Sequence, residues 1–92
     1  MAANTKIEWA DHNLKLQQPH FEEVARGAKP FEIRFDDRGY KSGHRVCLRE
    51  WTGAEYTGRN LTATIGAITT FAQRKGYVVF GLLDVMESRA GQ

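Results

Sequence analysis

Apolar and polar residues alternate at period two in several short runs of this chain, and at the helical period in one. HNLKL, residues 12–16, puts His12, Leu14 and Leu16 on one face of a predicted strand. Gln18 to Arg26 then reads as a helix of two to three turns. Phe21, Val24 and Ala25 give it an i, i+3, i+4 stripe, Pro19 suits its start, Glu22, Glu23 and Arg26 complement its dipole, and Gly27 stops it. Over residues 29–36, Phe31, Ile33 and Phe35 alternate with Glu32, Arg34 and Asp36. This predicts a strand with its aromatic face in the core and its charged face outward. Pro30 suits the start or edge of that strand.

A polar, glycine-containing connection, 36–43, leads to a strand from Arg45 to Trp51. There Val46, Leu48 and Glu50 share one face, and Cys47, Arg49 and Trp51 the other. Residues 52–60, TGAEYTGRN, read as a second glycine-rich loop. Leu61 to Phe71 is a strand with a bulge at Gly66, and Tyr77 to Val85 is the most continuous apolar run, predicted to be a central strand buried on both faces. One strand, one helix and four strands predict an α+β or mainly β fold: a small curved sheet or partly closed β-barrel, predominantly antiparallel, with one packed helix. The predicted domain spans 12–85. Residues 1–11 are expected to be a flexible or loosely docked N-terminal segment, and 86–92 a frayed tail.

Composition narrows the classes. Ninety-two residues make one domain. Cys47 is the single cysteine, so no disulfide can form within the chain, and it is expected in the core. The three histidines and the cysteine show no metal-ligand spacing. No apolar run is long enough to span a membrane and no signal-peptide pattern opens the chain, which predicts the cytoplasm. The net charge is only +2, but residues 26–59 carry eight basic groups against five acidic ones, six of the eight being arginines. Arginine forks suit phosphate, carboxylate and base edges.

The densest candidate chemistry lies in GAKPFEIRFDDR, residues 27–38, which brings Lys29, Glu32, Arg34, Asp37 and Arg38 close in sequence. A plain reading makes this a solvated ion-pair ladder. Lys29 and Glu32 fall on opposite strand faces unless Pro30 distorts the strand start. Trp51 beside Arg49 is either a cation–π pair or a plug closing one end of the core. Tyr56 and Arg59 stand out in the loop 52–60, His12 is expected to be structural, and His20 to face solvent.

HNLKL, the helix ending RGAK, then FEIR, DDRGY, GHRVCLREW, YTGR and KGYVVFGL occur in an order that resembles a family of short bacterial and phage proteins related to ASCH domains, within the PUA-like superfamily. The resemblance spans residues 12–82. It implies a PUA-like β-barrel with a helix beside a cleft, and an association with RNA or modified nucleosides. The family's G-x-K…R motif maps onto Gly27, Lys29 and Arg34. One enzymatic branch, the N4-acetylcytidine amidohydrolases, uses a lysine, a threonine and a glutamate. Lys29 matches the lysine, Glu32 stands at the threonine position, and the glutamate has no counterpart here.

The leading expectation is therefore a module for single-stranded or looped RNA, without a cofactor. Lys29, Arg34, Arg38 and Arg59 would meet phosphate or base edges, Tyr40, Trp51 or Tyr56 would stack, and Glu32 and Asp37 would accept from amines. The alternatives are a hydrolase of a modified nucleoside or RNA with Lys29 and Glu32 in its site, and a phage-borne protein acting on a protein partner.

Overall fold

His12–Gln17 forms β1 and Gln18–Ala25 forms α1. Four strands follow: β2 (Phe31–Phe35), β3 (Arg45–Trp51), β4 (Tyr56–Thr69) and β5 (Tyr77–Arg89). The computed structural model describes residues 7–89; the outer parts of the two predicted terminal segments, 1–6 and 90–92, lie outside the described residues. The strands make one sheet in the order β1-β3-β4-β5-β2. β1 runs parallel to β3, and the other neighbours are antiparallel. The sheet curls into a half-barrel with one short helix, the mainly β architecture that the alternation predicts. Its edge strands β1 and β2 meet across an open seam, which Arg34 Nη2 crosses to donate 2.9 Å to the Lys15 carbonyl.

The concave side holds the core. Leu14 and Leu16 of β1, Val46 and Leu48 of β3, Leu61, Ala63 and Ile65 of β4, and Val78, Phe80 and Leu82 of β5 close on Phe21 and Val24 of α1. Phe21 is fully buried, worth about 1.5–3 kcal/mol. Gly27, at φ +80°, ends the helix as predicted: its N–H donates to Val24 and that of Ala28 to Glu23, a double closure that needs a left-handed residue.

Four expectations change. The loop expected over 52–60 is short, because β4 begins at Tyr56. The 52–55 turn closes with the Thr52 N–H on the Glu55 carbonyl and the Thr52 hydroxyl accepting from Ala54 and Glu55. β5 is not buried on both faces: Val78, Phe80 and Leu82 point in while Leu83 and Met86 are exposed, and β4 holds the centre of the sheet. β5 also runs past Val85 to Arg89, paired with the start of β4. Residues 7–11 are tied down by paired hydrogen bonds between Ile7 and the Asn13 amide and by the Asp11 N–H on the Arg45 carbonyl. The bulge does fall at Gly66, where the β4–β5 register shifts and the Leu83 side chain lies over the glycine.

The largest departure is β2, whose faces are inverted. Glu32 is 2% exposed, whereas Phe31, Ile33 and Phe35 are 37%, 49% and 54% exposed. Pairing with β5 dictates this. Partners across a ladder share a face, and Glu32 and Arg34 oppose Phe80 and Val78 of the inward row. At the edge of an open half-barrel the inward side borders a cleft, so charged groups can occupy it.

Candidate functional site: a cleft at the open seam

A cleft of about 470 Å³ lies where β1, α1 and β2 converge, with Lys15, Gln17, His20, Lys29, Glu32, Arg34, Phe35 and Tyr77 in its lining. Arg34 Nε donates to Glu32 Oε1 at 2.9 Å, and its Nη2 reaches Lys15 across the seam. One guanidinium thus satisfies a buried carboxylate and an edge carbonyl together. Lys29 lies before the first residue of β2, so strand parity does not apply to it, and it shares the cleft with Glu32. Its ammonium stands 3.5 Å from His20 Nδ1, which is 3.6 Å from Glu23.

The cleft brings Lys29, Glu32 and Arg34 together, as the sequence reading grouped them. It leaves the other candidates elsewhere. Tyr40 is buried, its ring centre 4.7 Å from His12 and 4.9 Å from Phe80, so it is a core residue and no stacking platform. Burial pushes its phenol pKa up. Asp37 and Arg38 form a loose 3.8 Å pair on the exposed β2–β3 connection. Arg59 is held by carboxylates: Nε and Nη2 grip Glu87 at 2.8 and 2.9 Å, and Nη1 meets Glu22 at 2.9 Å and Glu50 at 3.6 Å. Hydrogen bonding to Glu87 raises its pKa further. Arg59 braces α1 against β3–β5 and does not line the cleft.

Trp51 and Tyr56 pack edge to face at 4.8 Å. The Lys15 ammonium lies 3.9 Å over Trp51 and the Arg49 guanidinium 3.8 Å over Tyr56. These cations take up ring faces that stacking on a base would use. The sequence reading missed Lys15, Gln17, His20 and Tyr77 as cleft residues. A usable signal existed for Lys15 and Gln17: they alternate with Leu14 and Leu16 at the end of a strand that runs directly into the helix.

Two further clusters are structural. His12 Nε2 and His44 Nδ1 lie 3.0 Å apart beneath Tyr40. Burial, with His44 adding to it, lowers the His12 pKa. The Asp36 carboxylate caps the Gly39 and Tyr40 N–H groups, and these bonds hold its pKa below the usual range. Cys47 is buried, its thiol pushed up to about 11, as expected of a core cysteine. Among the described residues no three His, Cys, Asp or Glu side chains converge as a metal site, and no helix is long and apolar enough to cross a membrane.

The family model for a domain of unknown function, DUF3850, matches residues 11–82. The chain belongs to the DUF3850 family. That match takes in β1, α1, β2 and the whole cleft lining of this DUF3850 chain. It is also similar to an uncharacterized 12.9 kDa protein in the GpA 3′ region of Escherichia phage P2, 38% identical over 58 residues, which is 63% of this chain and 53% of the phage protein. The chain thus spans about half the length of that relative.

Proposed function

We propose that this DUF3850 chain is an RNA-binding module of the PUA-like kind, taking one unpaired nucleotide into the β1–β2 cleft. The observation that carries the reading is the inward Glu32–Arg34 pair at the cleft. A carboxylate is costly to bury unless its charge is met, and Glu32 is 2% exposed with Arg34 as its ion-pair partner. The pair presents a carboxylate that suits the exocyclic amine of cytosine or the donor edge of guanine. Lys29 and Lys15 supply charge for phosphate, and Tyr77 and Phe35 supply aromatic surface beside the base. The work of contact thus passes to Lys15, Lys29, Glu32 and Arg34, while Tyr40 and Arg59 support the fold.

A second reading rests on the 3.5 Å approach of His20 to Lys29. An amine, an imidazole and a carboxylate in one cleft could hydrolyse an acylated nucleoside.

NMR titration of labelled protein with short single-stranded RNAs and acylated cytidine tests both. Shifts should centre on Lys29, Glu32, Arg34 and Tyr77, and Arg34→Ala or Glu32→Gln should weaken RNA binding about tenfold or more, as loss of a charged hydrogen bond implies. Unchanged affinity in both variants would sink the reading. Turnover of the acylated cytidine that is lost in Lys29→Ala would replace it with the second.

A further inference from the structure

We propose that the turn between β4 and β5, residues 70–76, is a second contact for RNA: Phe71 stacks on a base of the strand whose one nucleotide occupies the cleft, and Arg74 and Lys75 meet its phosphates. This rests on the cleft reading and extends it. Phe71 is 84% exposed. Among the described residues every other Phe, Tyr or Trp ring has a second ring or a cation beside it, and Phe71 has neither. Its ring is therefore open to a base, unlike those of Trp51 and Tyr56. It is also held out on an ordered turn. The Phe71 N–H donates to the Thr69 hydroxyl at 3.0 Å, the Gln73 N–H to the Thr70 carbonyl at 3.0 Å, and the Gln73 side-chain amide to the Phe71 carbonyl at 3.3 Å. Ala72 sits at φ +59°, a left-handed conformation that is costly for alanine. A fixed backbone under an exposed ring lowers the entropy lost on binding.

The turn joins the cleft at Tyr77, which lines the cleft and whose N–H donates 2.9 Å to the Arg74 carbonyl. The Asp36 N–H, just past the end of β2, donates 2.8 Å to the Gly76 carbonyl, and the Phe35 ring, also in the cleft lining, crowds Gly76. Arg74 and Lys75 are exposed, and no acidic residue occurs between Glu55 and Asp84. On the adjoining β2–β3 connection, Asp36 is met by backbone N–H groups and Asp37 by Arg38. An open aromatic ring with cations nearby is what single-stranded nucleic acid uses, base on ring and phosphate on cation. A lipid surface fits less well. Thr69, Thr70 and Gln73 flank Phe71, which leaves the turn one large apolar side chain to insert.

The test compares a single-stranded RNA decamer, followed by fluorescence anisotropy over a range of salt, with a nucleoside monophosphate followed by NMR. Phe71→Ala should weaken the decamer about fivefold or more, the loss of one stack, and leave the monophosphate unchanged. Phe71→Trp should retain the decamer affinity. Arg74→Gln combined with Lys75→Gln should reduce the slope of log K against log salt by about 1.4, twice the value for one lost single-strand phosphate contact. All three side chains are exposed, so these variants read binding and not folding. An unchanged decamer affinity in Phe71→Ala overturns the second contact, and if Arg34→Ala still weakens both ligands the cleft stands without it. If Phe71→Ala weakens the decamer while Arg34→Ala and Glu32→Gln change neither ligand, the cleft reading falls and the turn binds RNA by itself. Binding to phosphatidylserine vesicles that Phe71→Ala removes, with the decamer unaffected, gives the turn to a membrane and overturns the proposal. If neither ligand binds, both readings fall.

Discussion

His12 Nε2 and His44 Nδ1 share one hydrogen across 3.0 Å, which they can do only while at least one ring is neutral. Burial, then His44 and Arg38, favour the neutral form of His12, against the pull of Asp11 and Asp36. Its folded pKa thus lies below the ordinary 6.5. As pH falls below that value the unfolded chain takes up the proton first. The stabilisation is therefore complete above about pH 6.5 and declines as pH drops toward the folded value. Urea unfolding should show this decline, and His12→Gln should flatten it by at most about 1.4 kcal/mol per pH unit, the limit for one proton. Asp11 and Asp36 have lowered values, so their contributions are lost only as pH falls below the ordinary 3.8, well clear of the histidine window. A second residue-scale prediction concerns Gly76, at φ +85°, where an added Cβ would lie 2.6 Å from Phe35 Cε1. Gly76→Ala should lose about 1–3 kcal/mol, and less in a Phe35→Ala background, when both are measured by denaturant titration. Neither effect is legible from the sequence. His12 and His44 lie far apart in the chain, and the ring that crowds Gly76, in the turn before β5, comes from β2.

Strand β1 and helix α1 were readable at the scale of elements because their apolar rows do face the core. Leu14, Leu16, Phe21 and Val24 are all buried. Strand β2 was not, because alternation says that two faces differ but not which one a neighbour forces inward. Val78 and Phe80 of β5 make that choice. The carboxylate setting of Arg59 was not readable for a related reason. Its partners Glu22, Glu50 and Glu87 come from three elements, and local sequence shows only a basic residue after a glycine. Glu50 is 2% exposed and relies on Thr57, at 2.6 Å, and on Arg59. Arg59→Ala leaves that buried carboxylate without its cation and removes the link between Glu22 of α1 and Glu87 of β5, so it should cost about 3–5 kcal/mol and lower Tm by more than about 10 °C. Calorimetry checks the loss. If stability holds and only RNA affinity falls, Arg59 contacts the ligand directly, as the sequence first suggested.

The molecule as a whole is a half-barrel whose two edges are held at the seam by a charged side chain and not by a strand ladder. The curved, mainly β architecture was legible from element order, since short strands with one helix leave few ways to bury a common face. The seam was not, because it depends on β1 pairing with β3, far along the chain. Keeping Glu32 and Arg34 there conflicts with stability, as buried ion pairs are often matched or exceeded by apolar replacements. Glu32→Leu combined with Arg34→Leu should leave the fold as stable, or more stable by about 1–4 kcal/mol, and should abolish RNA binding. Thermal melts and anisotropy on the same sample check both halves.

The exposed row Phe31, Ile33 and Phe35 also affects how the chain reaches this fold. Shifted by one residue against β5, β2 would hide those three side chains and turn Glu32 and Arg34 to water, a pairing that hydrophobicity alone prefers. The native step is fixed at the strand's two ends, by the Leu82 N–H on the Pro30 carbonyl at 3.0 Å and the Asp36 N–H on the Gly76 carbonyl at 2.8 Å. A strand shifted in that way would turn Glu32 and Arg34 out of the cleft. A molecule that filled the cleft would bind the native register alone, and by mass action would favour it over the shifted one.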